Sequence, residues 1–534
     1  MTVDNRATTL DRTGWLTLLA VGFGVSLVIM DATIVNVALP VVLEDLKLTA
    51  SDAQWLNASY SLMFAALLIT VGRIGDLSGR RRMFASGMVV FLAASVFAGA
   101  SQNAWMLVGA RFAQGVGAAM IVPSTLSILN ATFTGRARTI AFAVWGSAIG
   151  GMAAVGPLIG GWLATDVSWR WAFWLNIPIG LVVLTGILRV VPESRDASAR
   201  PGRDLIGVVL SALGMAGIVF ALIEGEWFGW WRQDSGTISP VPIALAVGLA
   251  LLVAFVVAER RRENAGLPTL VDLGLFAIPT FRAGAIAALV VAFGEFGLLF
   301  TLPLLMQGTL GYSALGTGAV ILVLALGTFL ISGALPQLSG RVSQRSIVQT
   351  GLLLEAIAVG GLAATLTITV PTWLLTLWLF VYGVGVGMAT AQLTSLLLSD
   401  VPADESGQAS GLQSTVRQLG SALGVALLGG LLVNQLASAT RDRLASLGLP
   451  SGTVDSLTSA VKESAGVAIA GLQANPATQP AGDAAAAAMV HASRVTTGAA
   501  ALALVIGLLA TFALPRSSSG THDDQPESDA VPAA

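Results

Sequence analysis

Long apolar segments recur along the whole chain and are separated by mostly short polar connections. A transmembrane helix needs about 20 mostly apolar residues, and the chain contains fourteen segments near that length. The pattern therefore predicts an all-α integral membrane protein with 14 transmembrane helices. Their expected positions are 15–39, 54–73, 83–101, 105–129, 138–163, 171–190, 205–224, 241–258, 281–303, 315–336, 347–368, 373–398, 407–433 and 496–514.

The first apolar segment is interpreted as a retained helix. The segment 15–39 is longer than the apolar core of a signal peptide, which has about 7–15 residues. It also contains Asp31 and lacks a cleavage pattern of small residues. The even number of spans places both termini on the same side of the membrane.

The distribution of basic residues predicts which side that is. Of the 28 Lys and Arg residues, 19 fall in the termini and in connections on the same side as the termini. Seven fall on the other side, four of them in the long connection 434–495, and long loops are largely exempt from the positive-inside rule. We therefore expect cytoplasmic termini and a location in the bacterial cytoplasmic (plasma) membrane.

Composition excludes several functions. The chain is 55% hydrophobic and 11% charged, whereas soluble domains average about 25% charged residues, so a water-soluble enzyme is excluded. The net charge of -2 provides no basic surface for nucleic acid. With no Cys and only His491 and His522, thiolate sites are excluded and metal chemistry is not expected. We expect no enzymatic activity and no cofactor.

The spans are expected to form six helices, two additional helices and six further helices. An echo between Gly115–Ala119 and Gly385–Ala389 supports two repeats, and internal repeats are typical of transporters with a site near the membrane midplane. The predicted regions are a cytoplasmic N-terminus 1–14, a first bundle 15–190, a cytoplasmic linker 191–204, two extra helices 205–258, a second bundle 281–514 with the outer loop 434–495, and a disordered cytoplasmic tail 515–534.

The strongest local motif joins the second and third spans. It contains Gly72, Asp76, Gly79, Arg80 and Arg81. The glycines allow a tight turn, and Asp76 can pair with the arginines or with the positive N-terminus of another helix. The repeat would place the start of the thirteenth span beside Asp76, as a latch. The alternative is an anchor loop that needs only its positive charges.

These motifs resemble the major facilitator superfamily, whose signature loop has this Gly-x-x-x-Asp-x-x-Gly-Arg-Arg pattern. Residues 107–117 are similar to a second family motif, and residues 30–40 with 169–178 resemble the fourteen-helix drug:proton antiporter branch. The antiporter motif of the fifth helix is matched by Gly146, Gly150, Gly156, Pro157 and Gly160. The resemblance implies two pseudo-symmetric bundles, alternating access driven by the proton motive force, and export of drugs.

Charged residues within the spans are candidates for proton coupling or substrate binding, because insertion of one costs at least about 2.5–3.5 kcal/mol. Asp31 can exchange a proton or form a packing hydrogen bond. Glu295 lies mid-span in no motif and is expected to face the cavity. Glu355 can couple to protons or pair within the bundle. Arg111, which in the family is associated with proton transfer, can tune a nearby carboxyl or form a structural salt bridge. Arg417 lies near the cytoplasmic end of the thirteenth helix, where it can snorkel to the interface, and is interpreted as structural.

The sequence thus predicts a proton-coupled secondary antiporter that exports lipophilic, cationic drugs or toxic compounds and confers antibiotic resistance. One alternative is an exporter dedicated to a single metabolite, antibiotic or lipid. Another is a non-transporting membrane receptor or a membrane enzyme, although no catalytic motif or nucleotide-binding loop is present. The expected partners are a small-molecule substrate, protons and the lipid bilayer, without an obligate protein partner, and the chain is expected to be monomeric.

Overall fold

The structure is a computed structural model of an all-α protein. It describes residues 12–133, 135–195, 204–231, 237–267, 269–271, 273–339, 342–397, 400–401 and 406–512. The predicted tail 515–534 and most of the linker 191–204 lie outside these ranges. The helices follow from the apolar segments, because inside a bilayer the backbone groups must bond within their own segment.

The N-terminal half contains the helices of the first six predicted spans. The last span is divided, and a π-helical turn at Leu163–Val167 follows the fifth helix. The helices are α1 (Arg12–Leu46), α2 (Ala50–Ser78), α3 (Arg80–Gly99), α4 (Ala104–Thr132), α5 (Gly135–Trp162), α6 (Trp171–Trp174) and α7 (Asn176–Val190). Polar caps fix where two of them begin: Thr49 forms a capping box with Asp52 before α2, and Asn103 caps α4.

The remaining described chain contributes ten helices, two of which form a hairpin between the halves. The helices are α8 (Leu205–Phe228), α9 (Pro240–Asn264), α10 (Pro279–Gly308), α11 (Ala314–Ser339), α12 (Gln344–Thr365), α13 (Thr372–Leu397), α14 (Ser406–Ser446), α15 (Ser451–Glu463), α16 (Ala468–Ala474) and α17 (Gln479–Thr511). A short 3-10 helix, Leu273–Ala277, precedes α10.

Every predicted span coincides with a long helix or, for the sixth span, with α6 and α7 together. In the described part of the chain, 12 helices are long and apolar enough to cross a membrane. Helices α2 and α5 are not among them, and the first two turns of α2 carry the polar residues Ser51, Asp52, Gln54 and Asn57. The protein therefore spans a membrane many times, and the count of fourteen stays a prediction.

The connection 434–495, predicted as a long outer loop, is largely helical. Helix α14 continues to Ser446, and α17 already begins at Gln479, because the Ala-rich start of α17 is a strong helix former. The short helices α15 and α16 lie between them. Val461, Ala465 and Ile469 of this segment are buried in the main apolar core. The segment is therefore packed onto the bundle.

The two ends of the bundle differ in the connections that they carry. The arginine-rich side holds the α2–α3 connection with Arg80–Arg82, and the opposite side holds the α1–α2 turn at Lys47–Thr49. On the opposite side, the two halves touch directly. The Leu315 backbone N–H donates to Thr165 Oγ1 over 3.0 Å. The closed contact between the halves thus lies on the opposite side.

Glycines set matching helix crossings in the two halves. Gly117 of α4 lies against Gly87 of α3, and Gly385 of α13 lies against Gly351 of α12; a β-carbon at either position would meet backbone of the neighbouring helix. The crossings make Gly117 the counterpart of Gly385. The sequence echo, which aligned Gly115 with Gly385, is therefore out of register by two residues, because short Gly-rich segments match in several registers.

The hairpin α8–α9 lies across the seam between the halves. Met215 and Val219 of α8 pack in one apolar cluster with Ala58 of α2 and Ala422 of α14. On the opposite side, Glu224 of α8 accepts hydrogen bonds from the Ser51 hydroxyl and the Trp55 indole N–H, each over 2.7 Å. Helix α8 therefore contacts both halves.

Candidate functional site

A charged pair lies inside the N-terminal half. Asp31 of α1 forms a salt bridge with Arg111 of α4, in which a guanidinium N–H donates to Asp31 Oδ2. The Asp31 side chain is 0% exposed and that of Arg111 is 1% exposed. Removing two charges from water is costly unless their partners are well placed. The buried pair therefore needs further hydrogen-bond partners.

Polar side chains from three helices complete the coordination of Asp31. Its Oδ1 accepts from Gln114 Nε2 over 3.0 Å and from Asn176 Nδ2 over 2.6 Å. Both amides also donate to Ser95 Oγ. Arg111 donates to the Gln114 side-chain carbonyl over 2.9 Å. The carboxylate is thus balanced by one positive charge and by two amide donors.

Helix α2 holds the arginine from the other side. The Arg111 guanidinium lies 4.4 Å from the centre of the Tyr60 ring, within the range of a cation–π contact. Its Nε–H donates to the Leu56 carbonyl over 3.2 Å. We call Asp31, Arg111, Gln114, Asn176 and Ser95 the N-terminal polar cluster. In this conformation it is sealed, and both charges have partners.

A second charged pair lies in the C-terminal half, and it is less enclosed. Arg417 of α14 lies 3.7 Å from Glu295 of α10, beyond hydrogen-bonding distance. The side chains are 31% and 16% exposed, respectively. The Arg417 guanidinium thus pairs with a carboxylate inside the bundle instead of snorkelling to the interface. Glu295 therefore has a charge partner and some access to its surroundings.

Glu355 of α12 is buried and has no partner among the described residues. It is 0% exposed, and neither carboxyl oxygen has a hydrogen-bond partner. The hydroxyl of Tyr382 on α13, 1% exposed, also lacks one. Glu295 and Arg417 both act on Glu355 electrostatically. The alternative expectation, that Glu355 pairs within the bundle, is wrong for the described contacts.

The motif between α2 and α3 binds the segment that follows α7. Gly79 has φ +126°, a conformation that favours glycine. The Glu193 carboxylate accepts from the Arg81 backbone N–H over 3.0 Å and lies 3.8 Å and 3.6 Å from the guanidinium groups of Arg81 and Arg82. Gly72 packs against Pro123 of α4. The Asp76 side chain and its expected contact with the thirteenth span lie outside the described part.

The glycines of α5 place that helix between the two halves. A β-carbon at Gly156 would overlap Thr33 of α1, and one at Gly160 would meet the backbone of Ile34. On the other face, the Pro157 carbonyl lies where a side chain on Gly318 of α11 would start. The contacts of Gly146 and Gly150 lie outside the part of the helix that the structure describes.

Sequence reasoning did not assign roles to four residues that complete these sites. Asn176 lies within the motif 169–178, whose resemblance could have drawn attention to it. Ser95 is an isolated polar residue in an apolar segment, Tyr60 lies between Ser59 and Ser61, and Glu193 lies three residues after the sixth span. Within the described ranges, no three His, Asp or Glu side chains are close enough to hold a metal ion.

Comparisons with known proteins give a consistent result. The sequence profile of the Major Facilitator Superfamily matches residues 21–425. A probable actinorhodin transporter of Streptomyces coelicolor is 35% identical over 77% of this chain and 71% of its own length. The multidrug efflux pump LfrA of Mycolicibacterium smegmatis is 33% identical over 85% of this chain and 87% of its own.

The fold is also similar to a solved structure. A bacterial homologue of the human lysosomal transporter Spinster, in an inward-facing and unoccupied conformation, superimposes with a TM-score of 0.63. The match covers 94% of this chain and 98% of that one, at 17% sequence identity. At this identity the likeness concerns the fold alone.

Proposed function

Because the chain belongs to the major facilitator superfamily and is a membrane transporter, we propose that it is a proton-coupled antiporter that exports lipophilic, cationic compounds by alternating access. Its predicted orientation makes the arginine-rich side cytoplasmic. The contact between α5 and α11 closes the opposite side, which is the arrangement expected of a carrier that accepts cargo from the cytoplasm.

The difference in enclosure between the two charged pairs carries the proposal. Asp31 is 0% exposed and has three side-chain donors, so proton exchange there requires the N-terminal polar cluster to rearrange. Glu295 is partly exposed and is separated by 3.7 Å from its single charge partner. Of the acids considered, Glu295 is therefore the one at which a proton and a cationic cargo can compete directly.

Competition at one carboxyl group is sufficient for exchange. Ionised Glu295 attracts a cation, whereas protonated Glu295 has no charge to offer and releases it. If protonation occurs while the site faces outward and deprotonation while it faces the cytoplasm, each cycle exchanges proton for cargo. A membrane potential of 100 mV supplies about 2.3 kcal/mol for each net charge moved. Exchange of one proton for one monovalent cation moves no net charge, so the pH gradient alone drives that exchange.

A second candidate function is an exporter dedicated to one compound, such as an antibiotic made by the same cell. The similarity to a probable actinorhodin transporter favours it, and the similarity to a multidrug efflux pump favours broad specificity. Competition by a panel of unrelated dyes against the purified protein distinguishes the two. Mutual competition supports broad export, and a single effective ligand supports dedicated export.

Ethidium transport into proteoliposomes tests the proposal. We expect an imposed pH gradient to drive ethidium against its own gradient, and an uncoupler to abolish the movement. ATP should have no effect. Ethidium movement that ignores the pH gradient would contradict proton coupling. Failure with ethidium but proton-driven movement of another compound would leave coupling intact and favour the dedicated exporter.

A further inference from the structure

The interior of the C-terminal half contains more acidic than basic groups. Its spans pair Glu295 with Arg417 and also bury Glu355, on which both of those charges act, so that two carboxyl groups accompany one guanidinium. In the N-terminal half, Asp31 and Arg111 balance each other. The two halves therefore differ by one unmatched carboxyl group. Of the two acids in the C-terminal half, Glu355 has both carboxyl oxygens buried without a hydrogen-bond partner among the described residues, and Glu295 has one.

The charges facing Glu355 are limited in number. Helix α13, which packs against α12, contributes Tyr382 and no other titratable group. Helix α17 also packs against α12; its His491 is exposed and its Arg494 donates to the Ala363 carbonyl, eight residues from Glu355. The remaining charges are those of Glu295 and Arg417. No described side chain forms a salt bridge with Glu355.

Helix packing holds the Glu355 side chain between α12 and α13. The crossing of Gly351 and Gly385 places the Glu355 side chain directly against the α13 backbone, where a β-carbon at Gly385 would meet Glu355 Cγ at 2.7 Å. The corresponding crossing in the first half, at Gly87 and Gly117, has Phe91 at that place. An acid thus occupies a position that an aromatic ring fills in the other half.

We propose that Glu355 is a second proton-binding site and that the C-terminal half exchanges two protons for each monovalent cationic cargo. An unpartnered ionised carboxylate is far costlier in an interior than a protonated one, so Glu355 holds a proton here. Arg417 balances one negative charge, that of Glu295. A bound cation balances a second, which allows Glu355 to release its proton. The proposal rests on the proton-coupled function above.

The stoichiometry can be measured with ethidium in proteoliposomes. At zero membrane potential, a pH difference of one unit sustains about a hundredfold ethidium gradient if two protons exchange, and about tenfold if one does. Two protons against one cation also move one net charge, so 100 mV should add about fifty-fold. For Glu355→Gln we expect the tenfold gradient and no response to potential. Glu224→Gln, which alters a carboxyl group between α2 and α8, is the matched control and should behave as wild type.

The outcomes separate this proposal from the function on which it rests. No proton-driven movement by the wild type overturns both. Proton-driven movement with a tenfold gradient in the wild type, or a hundredfold gradient in Glu355→Gln, overturns the second site alone. If Glu355→Gln does not transport, the second site is tested by measuring the protons that the variant and the wild type release in detergent when ethidium binds. Release well below the wild-type amount supports the second site, and equal release overturns it.

Discussion

The Arg417 guanidinium lies 3.7 Å from the Glu295 carboxylate, and both side chains retain partial exposure. At this distance the two charges attract without a direct hydrogen bond. A proton or a cation can therefore reach the carboxylate without breaking a closed network. Asp31, with its three side-chain donors, is in the opposite situation.

Replacing Glu295 should uncouple transport. Glutamine keeps the shape of the side chain and cannot bind an exchangeable proton, so we expect Glu295→Gln to reduce pH-driven ethidium accumulation at least about tenfold. The measurement is ethidium fluorescence in proteoliposomes, with Glu224→Gln as the control. Accumulation equal to that of the wild type would remove Glu295 from the coupling mechanism.

Breaking the sealed pair should affect stability. Removing one partner of a buried ion pair costs about 3–5 kcal/mol, because the other charge stays buried without compensation. We expect Asp31→Asn to lower the unfolding temperature in detergent, followed by tryptophan fluorescence, and Asp31→Asn with Arg111→Gln to recover part of the loss. An Asp31→Asn protein as stable as the wild type would mean that water reaches Arg111.

A reversible cross-link should test whether the opposite side opens. The chain contains no cysteine, so Thr165→Cys with Leu315→Cys introduces a single possible disulfide where the Thr165 side chain meets the Leu315 backbone. We expect oxidation to stop ethidium export and reduction to restore it. Each single-cysteine variant serves as a control. Export that continues after complete cross-linking would show that this contact does not separate during the cycle.

A methyl group at Gly318 should destabilise the closed opposite side. Gly318→Ala would bring a β-carbon onto the Pro157 carbonyl, and overpacking of this kind costs about 1–3 kcal/mol. We expect formation of the disulfide between positions 165 and 315 to slow at least about fivefold. Gly498→Ala, at a position with nothing within 4 Å of a β-carbon, is the matched control. An unchanged rate would mean that the helices shift to accommodate the methyl group.

The stability contributed by Asp204 at the start of α8 should depend on pH. Burial of Asp204 opposes its ionisation, but the neighbouring Glu259 carboxyl group, a hydrogen bond from the Gly207 backbone N–H and the charge of Arg262 together keep the pKa of Asp204 below its usual value. A carboxyl group whose pKa is lowered on folding contributes stability above its unfolded pKa of about 3.9. That contribution is lost as the pH falls through the lowered value.

We therefore expect Asp204→Ala, which also removes the cap of α8, to cost about 0.5–2 kcal/mol at neutral pH. The ionisation-dependent part of this difference should shrink in acid. Thermal unfolding in detergent at several pH values measures it. A difference that does not change with pH would assign the whole effect to the cap.

The sequence predicted the helices well, because a bilayer leaves few alternatives for long apolar segments. The family and its motifs were also readable, since Gly79, Gly156 and Gly160 carry backbone requirements that show in the sequence. The charge partners could not be predicted from the sequence. Asp31 and Arg111 are 80 residues apart, and only the packing of α1 against α4 determines that they meet.

The pairing of Arg417 with Glu295 shows the same limit. Its position near a predicted helix end favoured snorkelling, and sequence alone does not say that α14 turns this side chain towards α10. For Glu355 the informative property is an absence of partners among the described residues, which requires every neighbouring helix to be placed.

The hairpin α8–α9 has a consequence for how cargo enters. Two seams run between the halves, α2 against α14 and α5 against α11. Helix α8 covers the first, with Met215 and Val219 filling the groove, whereas no described helix covers the second in this way. A compound dissolved in the lipid leaflet therefore meets α8 on the first flank and the two halves themselves on the second.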